Sequence, residues 1–137
     1  MWSKYFSPAE LIVSATATER GIVNMPTWQQ IHTLHMFCVC CLDEVRSIAG
    51  RAVIVTSGYR CPQLNRAVGG VDDSHHQCWG GYAAADITLG NIAYNCQLFD
   101  KIVESDIPYV QLIREEHGRW LHISWHPSKC PREVIRR

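Results

Sequence analysis

The chain has 137 residues, room for a single domain over residues 1–137, and its 47% apolar and 19% charged content is that of a folded chain rather than a disordered one. Thirteen Lys and Arg balance thirteen Asp and Glu, which excludes a global field drawing the chain to nucleic acid or an anionic membrane. No apolar run reaches the roughly 18 residues of a membrane span, and the opening MWSKYFSPAEL lacks the basic-then-apolar pattern of a signal peptide, so synthesis in the cytoplasm is expected.

In chain order, Ser7-Pro8-Ala9-Glu10 reads as a helix start, with Ser as cap, Pro in the first turn and Glu reaching back. That helix is expected to be short, because residues 14–18 (SATAT) are rich in types that prefer caps and β structure. Asn24-Met25-Pro26 is a break, and Thr27-Trp28-Gln29-Gln30 is a second capping box. It opens a long helix with Ile31, Leu34, Cys38, Cys41, Leu42, Val45 and Ile48 on its apolar face and Gly50 at its end. Residues 52–56 (AVIVT) have the continuous apolar run of a buried strand. Ser57-Gly58-Tyr59 then turns the chain, 62–68 is a short helix, and the glycine-rich, aperiodic stretch 69–82 is a loop. Residues 83–89 (AAADITL) read as a strand, and 92–103 as a helix with Leu98, Ile102 and Val103 inward. Two short strands follow, 109–113 and 120–124, joined by a charged turn, while Cys130 and the basic tail Arg132, Arg136 and Arg137 indicate no element. Helices first and a small sheet later give an α+β fold, a small antiparallel sheet packed by helices.

The seven cysteines (Cys38, Cys40, Cys41, Cys61, Cys78, Cys96 and Cys130) are an odd set without a secretion signal, and no second pair stands at zinc-ribbon spacing. Most are expected as reduced, small apolar residues. More telling are Asp86, set between Ala85 and Ile87, and His122, set between Leu121 and Ile123. An ionised carboxylate and an imidazole in apolar strands need partners, since burying them alone costs several kcal/mol. A hydrogen-bonded core histidine is one solution, and a zinc ion held by two His and a carboxylate is another.

The ordered strings TSGYRCPQLNRAVGG, Ser74-His75-His76, Ala84-Ala85-Asp86-Ile87 and Trp120-Leu121-His122-Ile123-Ser124 resemble the zinc D-Ala-D-Ala carboxypeptidase family of the Hedgehog/DD-peptidase superfamily, and its small phage-encoded members above all. The likeness extends to the Phe-Ser-x-x-Glu-Leu opening, the Asn-x-Pro break and the long helix, and so covers nearly the whole chain. It implies one Zn2+ per chain on His76, Asp86 and His122, with the fourth position for water. It implies that Arg60 holds the substrate carboxylate or the developing oxyanion, and that Ser74 lies near the substrate, with Tyr59 beside it. The general base that such a family needs shortly before the last His falls on Glu116, with Glu115 as the alternative. The implied reaction is hydrolysis of a peptide bond in peptidoglycan stem peptides, by a D-Ala-D-Ala carboxypeptidase or an endolysin-like endopeptidase. A monomer acting on the cell wall is expected, reaching the periplasm through phage lysis or a virion, with no nucleic acid partner and no membrane span.

Two departures stand out. His76 and Asp86 are ten residues apart, about three more than the family spacing, an insertion that a loop tolerates and that leaves His75 open as an alternative to His76. Where several relatives carry an acid three residues before the last His, this chain has Arg119. Two other readings remain. Cys78-Trp79 beside the two His could mark a thiol peptidase, and an uncertain base is compatible with a zinc-bound but inactive wall-binding or partner-binding module. Tyr59, Trp79, Tyr82 and Trp125 either line a groove for peptide or sugar or pack against the sheet.

Overall fold

The structure, a computed structural model, describes residues 2–137. Helix α1 (Pro8–Ile12) starts where the Ser7 N–H donates to the Glu10 carboxylate at 2.7 Å and ends after 5 residues. The chain leaves the helix only at Val13 and Ser14, and residues 15–18 are helical again. Ser14 caps a second short helix, α2 (Ala15–Arg20), by accepting from the Ala17 N–H, and Gly21 closes it in the left-handed conformation. Ser competes for backbone groups; at an N-terminus the same preference starts a helix instead of ending one.

The long helix is present as α3 (Trp28–Phe37), a π turn (Cys38–Leu42) and α4 (Asp43–Ala49), which follow one another directly and stop at Gly50. The Thr27–Gln30 capping box is closed in both directions, at 2.8 and 3.2 Å. The π turn inserts a residue into the helical phase. Leu34, Cys38, Cys41, Leu42 and Val45 are buried, and Asp43 is buried with them. There Asp43 accepts from the Ser3 hydroxyl and from the N–H groups of Lys4 and Tyr5, which ties the N-terminal segment to the helix. All seven cysteines are free thiols, three of them buried.

The sheet has five strands, β1 (Ile54–Ser57), β2 (Ala83–Thr88), β3 (Gln111–Glu115), β4 (Trp120–Trp125) and β5 (Glu133–Arg136), in the order β1-β2-β4-β3-β5. Helix α5 (Pro62–Ala67) lies between β1 and β2 in sequence, and α6 (Ile92–Glu104) between β2 and β3. Every neighbouring pair is antiparallel except β3 and β5, which are parallel. The tail that indicated no element is thus the outer strand of a mostly antiparallel α+β fold. Among the described residues no helix is long and apolar enough to cross a membrane.

Alternation divides the sheet into two faces. Ala83, Ala85 and Ile87 of β2, Leu121, Ile123 and Trp125 of β4 and Leu112 of β3 join the core with Leu34, Phe37, Leu98, Phe99 and Ile102 of the helices. The residues between them, Asp86, His122, Gln111, Ile113 and Glu115, therefore project to the other face. The register between β1 and β2 slips between Val55 and Ser57, a bulge opposite Asp86, and the chain leaves this bulge directly toward Arg60.

Candidate metal centre

Asp86 and His122 are direct cross-strand partners on β2 and β4, so their side chains stand side by side on the open face. The third member comes from the loop between α5 and β2. Ser74 caps a single turn of 3-10 helix (His75–Gln77) by accepting from the His76 N–H at 3.2 Å. The Arg60 N–H donates to the His76 carbonyl at 2.8 Å, fixing that turn against the end of β1.

His76 Nε2, Asp86 Oδ1 and His122 Nδ1 form a triangle with sides of 3.1, 3.3 and 3.4 Å. Ligands bonded to zinc at about 2.0–2.1 Å stand roughly 3.3–3.4 Å apart at the corners of a tetrahedron, so the three donors already have the spacing of one face of that polyhedron. The group could hold a metal ion. The ring orientation of His76 supports the fit. Its Nδ1 lies 2.7 Å from the Gly58 carbonyl, which can only accept, so the proton is on Nδ1 and the lone pair of Nε2 points into the triangle. Burial lowers the pKa of His76 and keeps the ring neutral, outweighing the neighbouring Asp86 carboxylate. For Asp86 burial acts to raise the pKa, but the two imidazoles packed against the carboxyl outweigh it and hold it well below the usual range.

Gly58 matters here for what it lacks. A Cβ at this position would run into the backbone carbonyl of Leu11, to which the Tyr59 N–H donates. Gly58→Ala is therefore expected to cost about 1–3 kcal/mol of stability. Because its carbonyl orients His76, metal affinity should fall roughly 10–100-fold as well. Thermal melts and a zinc titration check both, and an unchanged pair of values would show that the backbone yields at no cost.

The donors line a cleft of about 480 Å³ together with Arg60, Ser74 and Glu115. Arg60 is held by three acceptors, Ser57 Oγ at 3.1 Å, Asn65 Oδ1 at 3.3 Å and Asp86 Oδ2 at 3.4 Å. Asp86 thus gives one oxygen to the triangle and the other to the guanidinium. His75 also lines the cleft, but its ring is stacked on Tyr82 at 4.3 Å and 6° and is not one of the three donors. Of the two acids, Glu115 ends β3 on the same face as His122, one side-chain step along from Ile113, which pairs with His122. Its carboxylate is 20% exposed and receives Arg137 Nη1 at 3.4 Å. Glu116 begins the turn after β3, is 56% exposed, pairs with Arg119 at 3.1 Å and does not line the cleft.

The remaining candidates are set elsewhere. Tyr59 and Trp125 are buried in the core and line no part of the cleft. Cys78 is buried and its thiol is pushed up to about 12 by desolvation, so it is not the thiolate that a thiol peptidase needs. Sequence reasoning missed Asn95, which is buried on α6 and donates to the carbonyls of Gly118 and Arg119, fixing the turn that leads into β4. An Asn inside an amphipathic helix carries no local mark of that task.

A comparison with curated proteins finds no match. The family model described as Peptidase M15 matches residues 4–124, a span that includes the three donors, Arg60 and both acids. Matched over most of its length, the chain belongs to the peptidase M15 family.

Proposed function

We propose that the chain is a zinc peptidase that hydrolyses a peptide bond in the stem peptides of peptidoglycan, as a D-Ala-D-Ala carboxypeptidase or an endolysin-like endopeptidase. The observation that carries this is the His76–Asp86–His122 triangle, with tetrahedral spacing, at the base of a cleft that also holds a fixed guanidinium and a carboxylate. Zinc, when bound, polarises the scissile carbonyl and acidifies the attacking water.

The chain's own residues do the rest. His76 Nε2 and His122 Nδ1 would hold the ion, and Asp86 adds a carboxylate to the donor set. Glu115, on the cleft wall, accepts the proton of the attacking water and returns it to the leaving amine. Arg60, immobilised by Ser57, Asn65 and Asp86, offers its guanidinium to the substrate carboxylate or to the oxyanion that develops at the carbonyl. Ser74 contributes by capping the turn that carries His76, at the rim of the cleft.

Digestion of purified muropeptides, read by mass with and without a chelator, tests the proposal. A chelator-sensitive product is expected, and its mass loss names the bond. Intact muropeptides, with one zinc per chain still bound, would sink the peptidase and leave a binding module.

A further inference from the structure

A second groove, of about 790 Å³, is walled in part by the loop that follows the His75–Gln77 turn. One wall is the first two turns of α3 and their cap, with Trp28, Gln29 and His32, and the other is the loop with Trp79, Gly80 and Gly81. Both tryptophans are turned to solvent, Trp28 at 86% and Trp79 at 51% exposure. Two indoles left wet on one concavity, in a chain that buries its phenylalanines, mark a recognition surface.

The loop that carries Trp79 is not slack. His126 Nε2 donates to the Gly80 carbonyl at 3.0 Å, while its Nδ1 accepts from the Ser128 and Lys129 N–H groups. The Tyr82 N–H donates to the Trp79 carbonyl, and Gly81 fits because a Cβ there would press on the His126 ring. Across the groove Gln30 Nε2 donates to the Gln77 carbonyl, joining the two walls at their base. The backbone that carries Trp79 is thus fixed, and a loop already in place loses little freedom on binding.

The lining also selects the ligand. Among the described residues that line the groove there is no Asp, Glu, Lys or Arg, only Trp, Gln, His, Thr, Cys and Gly. Nucleic acid needs cations beside its stacking rings, which are missing here. An apolar partner would cover the Gln29 and His32 side chains without offering them hydrogen bonds. A neutral sugar chain meets both demands, with the C–H face of each ring against an indole and its hydroxyl and acetamido groups on the amide, imidazole and hydroxyl side chains. We infer that the Trp28–Trp79 groove binds an uncharged β-linked N-acetylhexosamine strand. The choice of amino sugar rests on the peptidoglycan reading above, because one loop, residues 74–82, walls both this groove and the metal cleft. A glycan lying here would deliver its peptide branch to the neighbouring site.

The test is titration of the zinc-loaded chain with the β-1,4-linked tetramer of N-acetylglucosamine, which has no stem peptide, followed by the indole N–H resonances and tryptophan fluorescence. Saturable shifts of Trp28 and Trp79 are expected, unchanged by a chelator, with binding weakened about tenfold or more in Trp28→Ala and Trp79→Ala. Trp28 is so exposed that its replacement leaves the fold intact, so a folding defect in the Trp79 variant does not spoil the test. No shift at about 10 mM tetramer, shifts confined to other tryptophans, or Trp28-dependent self-association in sedimentation would each overturn the inference. Muropeptide cleavage without sugar binding removes the glycan site alone, whereas sugar binding without cleavage removes the peptidase and keeps the site.

Discussion

His122→Ala is expected to leave the chain without stoichiometric zinc after dialysis and to lower kcat/KM on muropeptides by on the order of 10³-fold or more. His122 Nδ1 stands 3.1 Å from Asp86 Oδ1 and 3.3 Å from His76 Nε2, so its removal takes one corner from a three-cornered donor set. Alanine keeps the β4 backbone and its pairing with β2, so the far-UV circular dichroism should not change, which separates loss of the site from loss of the fold. His75→Ala supplies the contrast. Its ring is stacked on Tyr82 rather than turned into the triangle, and that variant should keep its zinc. Metal retained in His122→Ala, or lost in His75→Ala, would dismantle the donor assignment.

The second large effect separates adjacent acids. Glu115→Gln should keep one zinc per chain while kcat falls about 10²–10⁴-fold, the usual contribution of a positioned base. Glu116→Gln should remain within about threefold of the parent, because an exposed ion pair such as Glu116–Arg119 contributes little. Single-turnover rates on one muropeptide, with zinc content measured on the same samples, decide between them. The reverse pattern would assign proton transfer to the turn after β3 and require that turn to swing over the cleft.

The contrast between these two acids shows what was legible in the sequence. An expectation that ends the strand at residue 113 leaves both in an irregular turn with nothing to choose between them. In the structure β3 continues to Glu115, and two-residue alternation then sets Glu115 on the face of Ile113 and turns Glu116 away. Asp86 and His122 were legible because charge inside an apolar strand demands a partner, but their pairing depends on register, which no local pattern states. The same holds for β5. Its residues, EVIR, are too few and too charged to signal a strand, and only the vacant edge of β3 makes them one. The α2 helix was hidden by Ser14 and its threonines, whose dislike of helix interiors is also what makes Ser a cap. The π turn in the long helix left no mark at all among the five residues CVCCL.

The triangle of donors has a topological consequence. Its members lie 36 and 46 residues apart along the chain for the pairs His122–Asp86 and His122–His76, on two strands and a loop that no covalent link joins, since every cysteine is a free thiol. A metal held there closes loops of the length that a disulfide closes in a small secreted domain, where the restriction of the unfolded chain is worth roughly 3–4 kcal/mol. Unlike a disulfide, that clasp survives a reducing environment and tightens with metal concentration, by about 4 kcal/mol at a thousandfold excess over Kd. With a metal bound, a chain with only thiols would gain a removable cross-link between loop and sheet, and the same three atoms that make the centre would also set how firmly the fold holds.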